Sequence, residues 1–485
     1  MKRILWATMT VGLSSIMVVA LSAVRYKFVA LEVGASGVGL LGILTSTANF
    51  GVVLFSLGLN TSGVQATAAA LTDGFKFQRV RSALLTSSCW LGILGGLVIG
   101  ALGISLGGML LPDELDLTLA ISLGIALTAM VISGVQLALI NGMGRVRSLA
   151  ICSAFGALIG TAATVTALQF SGQAGIVAAL VAAPLATLAC STWFVIRAPK
   201  PEILSKPKFS EWRTELRGLL TLGGVVMFGL LLTSGTQLAV RIWLEQGQGL
   251  TAAGHFQAAW TITSMYLGFV LSAMAVEYYP RISSQVDNLV NLNKSVDAQV
   301  RIALILGAPV LLWMIVLSPL VLHILYAAGF QAATGILRLQ LLGDILKIVG
   351  WAIAFLLLAR RARGAFFIGE LSFNVCYLAI AVPMAIRGGL SGLGIAYIGA
   401  YAVYLVVVLM LARRETSFVL RKETWVLVLA LLSFGVAVLW GMESDSTVGS
   451  TIAIATAAIA TIVSLASLYR LRSKERQEES AERLV

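Results

Sequence analysis

Apolar residues run along this chain in blocks of about twenty, parted by short polar connections, a pattern that predicts membrane-crossing helices. The blocks are Ile4–Val24, Val38–Leu59, Leu84–Leu111, Leu117–Ile140, Leu149–Phe170 and Gly175–Ile196. After a long polar stretch come Leu219–Leu244, His255–Tyr278, Ile302–Leu325, Ile336–Leu358, Ala365–Ile386 and Leu390–Leu411. Trp425–Leu439 and Thr451–Leu468 close the series. Hydrocarbon offers the backbone no water, so each block must satisfy its own amides as a helix. The expected fold is an all-α polytopic membrane protein of about 14 transmembrane helices.

The connections between blocks set the orientation. Lysines and arginines fall in every second connection, save Arg25, Lys27, Arg241, Arg338, Lys347 and Arg387. The opposite connections are otherwise neutral or acidic, as in the PDELD segment after Leu111 and at Glu443 and Asp445. This bias places the basic side, and with an even count both termini, in the cytoplasm. The connection from Arg197 to Arg217, with Pro199, Pro201 and Pro207, divides the first twelve spans into six and six. The expected organisation is an N-terminal six-helix lobe (1–197), a cytoplasmic linker (198–217) and a second six-helix lobe (218–413). Two additional transmembrane helices (414–470) and a cytoplasmic tail (471–485) follow. Aligning the halves sets Ala23-Val24-Arg25 on Ala239-Val240-Arg241 and, with one residue of slip, Gly39-Leu40 on Gly254-His255. Parallel repeats of this kind frame a central cavity between two lobes.

Composition narrows the function. The chain is 58% hydrophobic and 12% charged, which no soluble domain matches. Its formal net charge of +12 lies in the connections, so it marks topology and not a nucleic-acid surface. Cys89, Cys152, Cys190 and Cys376 show no CxxC spacing and read as reduced packing residues. Met1-Lys2-Arg3 and the apolar run behind them lack a small-residue cleavage site before Arg25, so this is an uncleaved first span. His255 and His323, near outer span ends, read as satisfied or interfacial imidazoles. No hydrolase, kinase or phosphate-loop motif is present, and no cofactor or metal is expected.

Candidate chemistry therefore rests on charges inside the spans. Arg25, Lys27 and Arg241 stand where a membrane helix holds cations at a cost of about 2.5–3.5 kcal/mol each on insertion scales. Either they snorkel to the interface or they face a polar cavity that takes an anion. Gln257, Thr261 and Ser264 fall on one helical face of the next span. Asp344 and Lys347 share a helix face, readable as a neutral bridge or as a proton- or sodium-linked carboxylate. Glu370 lies near Arg360, Arg361 and Arg363, where an ion pair is expected. Gly92, Gly96 and Gly100 predict close helix packing, and Pro184, Pro309, Pro319 and Pro383 are candidate kinks.

Three stretches carry a family resemblance: LEVGASGVGLLG (Leu31 to Gly42), GLNTSGVQ after the second span, and AGHFQAAWTITSMYLGFVLSAMAVEYYPRI (Ala253 to Ile282). In these the chain resembles the O-antigen and enterobacterial-common-antigen translocases, polysaccharide flippases of the multidrug/oligosaccharidyl-lipid/polysaccharide exporter superfamily. The resemblance implies alternating access that flips an undecaprenyl-diphosphate-linked oligosaccharide from the cytoplasmic to the periplasmic leaflet of the inner membrane. It implies Arg25, Lys27, Arg241 and Gln257 as substrate-binding residues. Asp344, Glu277 (before Tyr-Tyr-Pro-Arg) and Glu370 become candidates for coupling to a proton or sodium gradient. Membrane lipids, the lipid-linked oligosaccharide and a polysaccharide polymerase are the expected partners of a monomeric protein. The family's twelve helices end near Arg413, so the last two spans are a departure, expected beside the second lobe. Two alternatives stand: an ion-coupled multidrug exporter of the same superfamily, disfavoured by cavity cations, and a membrane-embedded glycan-assembly enzyme, which would need an acidic motif or large outer loops.

Overall fold

The computed structural model describes residues 2–110, 117–198, 209–444 and 446–482. The PDELD segment and residues 199–208 of the linker lie outside these residues. The first half holds α1 (Lys2–Glu32), α2 (Gly34–Ser56), α3 (Leu59–Ala70), α4 (Gly74–Leu110), α5 (Leu117–Gly142), α6 (Val146–Ser171) and α7 (Gly175–Ile196). The second holds α8 (Phe209–Ser283), α9 (Leu289–Val316), α10 (Ser318–Leu325), α11 (Thr334–Ala359), α12 (Arg363–Thr416), α13 (Lys422–Glu443) and α14 (Thr447–Glu482). Twelve helical segments among the described residues are long and apolar enough to cross a membrane. Two of them each hold a pair of spans. The α8 path breaks at Gly249 (φ 81°), and α12 breaks at Gly388 and Gly389. Arg241 bonds Gln257 across 16 residues, which a straight helix would hold about 24 Å apart; the chain folds back at Gly249. Tyr404 likewise reaches Glu370 across 34 residues, so α12 is a hairpin. With both helices divided, the fourteen-span pattern stands.

The boundaries moved where polar residues joined a helix. Glu245 to Gly254 reads as a polar turn, yet the structure confines the break to Gly249, since the flanking residues can remain helical while one glycine supplies the positive φ. The first span runs on to Glu32, so Arg25 and Lys27 are inside α1 and not beyond its end. The GLNTSGVQ run is no loop. It opens α3, re-aimed by the left-handed pair Leu57 and Gly58. A Cβ on Gly58 would lie 2.5 Å from the Gly223 carbonyl oxygen, so only glycine lets these backbones meet.

The chain forms two compact units, residues 1–257 with 325–329, and residues 258–324 with 330–485. In the first, α6 packs on α1 and α7, and α5 on α4 and α7. The glycine face of α4 makes the predicted close contact: Thr128 of α5 donates to the Gly92 carbonyl oxygen at 3.0 Å, and a Cβ on Gly124 would sit 2.6 Å from the Gly96 oxygen. Large apolar side chains such as Trp90, Leu97 and Phe170 are exposed, as a lipid-facing surface requires.

In the second unit α11 packs on α9 and α12, and the two additional spans attach to α9 and α11. Their own composition is plain, so the neighbours supply the polar fastenings. Asp297 of α9 accepts from the Arg421 amide at 3.0 Å and the Thr424 hydroxyl at 2.9 Å, capping the start of α13. At the other end Arg338 donates to Ser318 at 2.9 Å and to the carbonyls of Ile315 and Met442 at 3.3 Å. The guanidinium thereby satisfies carbonyls at the ends of α9 and α13, where the helix dipole favours a cation. Trp313 donates to Thr461 of α14 at 3.1 Å. Pro319 lies in the first turn of α10 and starts that helix, which proline suits better than a hinge.

Candidate functional site

Within the first unit, the segment after the α8 break crosses α2 at glycines. A methyl group on Gly39 would overlap the Leu250 carbonyl oxygen and lie 2.9 Å from the Gly254 amide; one on Gly254 would overlap the Ala35 carbonyl. The aligned glycines of the two halves thus meet each other. One turn along, Gly42 leaves room for the Gln257 side chain, whose Cγ and Oε1 would stand 2.9 Å from a Cβ there. Gly39 and Gly42 share one face of α2, and Gly254 and Gln257 one face of α8, because three residues nearly complete a turn.

Gln257 is thereby delivered to Arg241. The Arg241 Nε donates to Gln257 Oε1 at 2.8 Å, and Nη1 donates to the Gln237 carbonyl oxygen at 2.9 Å. The guanidinium carbon stands 5.2 Å from the Phe256 ring centroid, within cation–π range. Arg241 is 2% exposed. It is packed among side chains and not open to water, where a wet cavity was one expectation. Gln257 is buried too. Arg25 and Lys27 are half-buried within α1. The Arg25 Nε is shielded from water and has no hydrogen-bond acceptor among the described residues; its guanidinium carbon is 5.7 Å from the Tyr26 ring centroid. Tyr26 in turn lies 6.2 Å from Tyr326. His255 Nε2 is 3.1 Å from the Gly329 carbonyl oxygen, a satisfied imidazole as expected.

The second unit holds a separate polar cluster in the apolar contact of α11 with α12. Asp344 is 0% exposed and accepts from the Tyr397 hydroxyl at 2.7 Å. Lys347 donates to that hydroxyl at 3.2 Å, so one tyrosine bridges the charges; no direct Asp344–Lys347 ion pair joins them. Three rings flank the Lys347 ammonium, Trp351 at 5.5 Å, Tyr397 at 5.7 Å and Tyr401 at 5.3 Å. Glu370 meets the Tyr404 hydroxyl at 3.4 Å. The expected pairing with Arg360, Arg361 and Arg363 is therefore corrected: Glu370 turns inward, toward Lys347 and the tyrosines. Asp344 Oδ2 and both side-chain amide atoms of Gln340, one turn earlier, are buried without partners.

Glu277 belongs to neither cluster. Its side chain is 78% exposed and faces Arg281 at 3.4 Å, an i,i+4 surface pair. Of the seven residues singled out in sequence, the structure joins Arg241 with Gln257 and brings Asp344 and Glu370 to one cluster.

The sequence model of the family described as "Polysaccharide biosynthesis protein" matches residues 5–286. The chain belongs to this family. It is 24% identical over 395 residues to the lipid III flippase of Escherichia coli (strain K12), covering 78% of this chain and 90% of that one. The lipid III flippase of Shigella flexneri aligns equally well. Among solved structures, an inward-facing multidrug resistance MATE family transporter of the MOP superfamily superposes with TM-score 0.72 at 16% identity, covering 82% of this chain and 94% of that one. The lipid II flippase MurJ, in an inward closed conformation, superposes with TM-score 0.69 at 12% identity over 96% and 99% of the two chains. At such identities the likeness shows the shared helical fold.

Sequence reasoning missed Tyr397, Tyr401, Tyr404 and Gln340. The tyrosines carried a signal: they recur at helical spacing on one face of the twelfth span, opposite the charged face of the tenth. Gln340, four residues before Asp344, extends that same charged face by one turn.

Proposed function

We propose that this protein, a transporter and not an enzyme, carries an undecaprenyl-diphosphate-linked oligosaccharide of the O-antigen type from the cytoplasmic to the periplasmic leaflet. Both termini then face the cytoplasm of the inner membrane, as the basic connections require. Family membership and the lipid III flippase relatives support movement of a lipid-linked glycan precursor. One observation carries the assignment of the head-group site: Arg25 keeps a buried Nε donor without an acceptor inside a membrane-crossing helix. A permanent cation with an unused donor suits a diphosphate, and guanidinium binds phosphate oxygens through paired hydrogen bonds. Lys27 adds charge from the same helix. Arg241, held by Gln257, supplies a second guanidinium once that contact opens.

The test is surface polysaccharide in a flippase-deficient cell, with membrane abundance measured beside it. Arg241→Lys should keep partial export, since the charge remains; Arg241→Gln and Arg241→Ala should abolish it at normal abundance. Arg25→Gln should weaken export less steeply because Lys27 is two residues away. Near-normal polysaccharide from the double Arg25→Gln, Arg241→Gln protein would refute the diphosphate role. Export of a cationic drug with no effect on glycan would point instead to a multidrug exporter.

A further inference from the structure

The cluster of α11 and α12 contains two carboxyl groups and one ammonium; Asp344 and Lys347 are buried and Glu370 is half-buried. With every group ionised it carries one negative charge in excess; with both acids protonated it carries one positive charge. A single proton makes it neutral, and burial of an uncompensated charge is what such a site must avoid. We propose that Asp344 and Glu370 share one proton, and that Lys347 is a built-in cation whose charge excludes sodium from the same place.

The geometry carries the proposal. Asp344 uses one carboxyl oxygen to accept from Tyr397, while Oδ2 is buried with no partner. A bare carboxylate oxygen there is unfavourable, and a proton relieves it. Lys347 donates to Tyr397 and Tyr397 donates to Asp344, so the ammonium stabilises the ionised acid through a hydroxyl. Along α12 Tyr397, Tyr401 and Tyr404 form one face, and Tyr404 reaches Glu370. Ring centroids on this ladder stand 4.7 Å apart between Tyr397 and Tyr401 and 5.9 Å between Tyr401 and Tyr404. Hydroxyls both donate and accept, so the ladder can pass a proton between the two acids without exposing either to lipid. Among the described residues Tyr266 of α8 also faces Asp344, and Tyr377 of α12 stands beside Tyr397 and Tyr401. Both are phenols and bring no positive charge, so among the described residues Lys347 is the cation that balances the cluster.

Infrared spectroscopy reads the proton directly. The full chain is reconstituted in sodium-free phosphatidylethanolamine–phosphatidylglycerol vesicles, and the carbonyl stretch of protonated carboxylic acids is followed as pH rises. A shared proton predicts that Asp344→Asn and Glu370→Gln each remove the whole band of the cluster, because the remaining acid then pairs with Lys347 and ionises. Lys347→Met should double the band, since both acids must then be protonated. Sodium chloride at constant pH should leave the wild-type band unchanged. Two independent sites would instead show each single substitution removing half the band. That result, an unchanged band in Lys347→Met, identical spectra for all variants, or displacement by sodium would overturn the proposal. The sodium arm needs no variant, and circular dichroism reports whether the near-isosteric variants are folded. Use of this proton to drive transport rests on the flippase reading, whereas the infrared signature does not. Loss of export with an intact band and loss of the band are therefore separate results.

Discussion

Arg241 and Lys347 are both cations buried inside membrane-crossing helices, and they are held by opposite means. Arg241 donates to a backbone carbonyl and a neutral amide, with a phenylalanine ring beside it. Lys347 donates to a tyrosine that is itself bound to a carboxylate, with a second carboxylate nearby. Guanidinium cannot shed its proton inside a protein, and these two neutral acceptors solvate its charge without cancelling it. Under the proposed function the first is the charge that an incoming anion meets. The second cancels charge internally and leaves a proton as the adjustable quantity. Burial alone does not distinguish the two; the acceptors of their hydrogen bonds do.

The comparison breaks most decisively at Lys347. Lys347→Met removes one side of a buried charge set and should destabilise by about 3–5 kcal/mol at neutral pH. Adding Asp344→Asn should recover most of that loss. The sign with pH follows from protons bound: the orphaned carboxyl is neutral when protonated, so the loss should shrink at acid pH and grow at alkaline pH. Equilibrium unfolding in mixed micelles at several pH values measures this. A pH-independent loss would place the carboxyl charges outside the lysine's reach.

Next in size are the neutral partners. Tyr397→Phe deletes a hydroxyl that serves two charged groups and should cost about 1.5–3 kcal/mol. Gln257→Leu leaves the Arg241 Nε without its acceptor and should cost about 1–3 kcal/mol. Gln257→Glu then separates the two cations further. Opposite the guanidinium it should be tolerated or stabilising by the same unfolding assay, yet it should reduce export by competing with the anion. A strongly destabilised Gln257→Glu protein would mean that the charge of Arg241 is already balanced.

Much of this was legible in the chain, and the failures are instructive. Block length and the alternation of basic connections predicted the span count, because a bilayer tests every twenty residues for hydrophobicity. Gly39, Gly254 and Gln257 all fell within the stretches that resemble the family, and their helical spacing is the surface that the crossing uses. Glu370 was misjudged because sequence proximity to Arg360, Arg361 and Arg363 said nothing of which way its side chain points. The tyrosine ladder was passed over for a related reason: hydropathy treats tyrosine as nearly neutral, and only the pairing of α11 with α12 makes its hydroxyls the natural partners of buried charge. The confinement of the seventh-to-eighth connection to Gly249 was hidden by polar residues that are equally at home in a helix end.

The glycine crossing offers a smaller effect that sharpens the first half of the comparison. Gly39→Ala sets a methyl group on the Leu250 carbonyl, a backbone atom that cannot rotate away, and should cost about 1–3 kcal/mol. Gly247→Ala, with open space around it, should stay within about 0.5 kcal/mol. If the crossing delivers Gln257 to Arg241, the cost of Gly39→Ala should fall when Gln257→Leu is already present, since one contact cannot be lost twice. Full additivity of the pair would separate the crossing from the arginine.

The smallest effect concerns the rings. Phe256 flanks the guanidinium of Arg241, whereas Trp351, Tyr397 and Tyr401 share the ammonium of Lys347. Single substitutions confound ring packing with charge, so the quantity to measure is the coupling in a double-mutant cycle. For Phe256→Leu with Arg241→Gln the expected coupling is about 0.5–1 kcal/mol, the ordinary size of a cation–π contact. For Trp351→Leu with Lys347→Gln it should be smaller, below about 0.5 kcal/mol, for two reasons. Tyr397 and Tyr401 still face the ammonium when the indole is gone, and the nearby carboxylates screen much of its field before the ring feels it. Lowering the pH of the Trp351 cycle should raise its coupling, because protonating a carboxyl removes that screening; the Phe256 cycle should not move, since the Gln257 amide and the Gln237 carbonyl that accept from its guanidinium do not titrate. Equal couplings with equal pH response would show that the two cations share one electrostatic setting, and the contrast between them would fail.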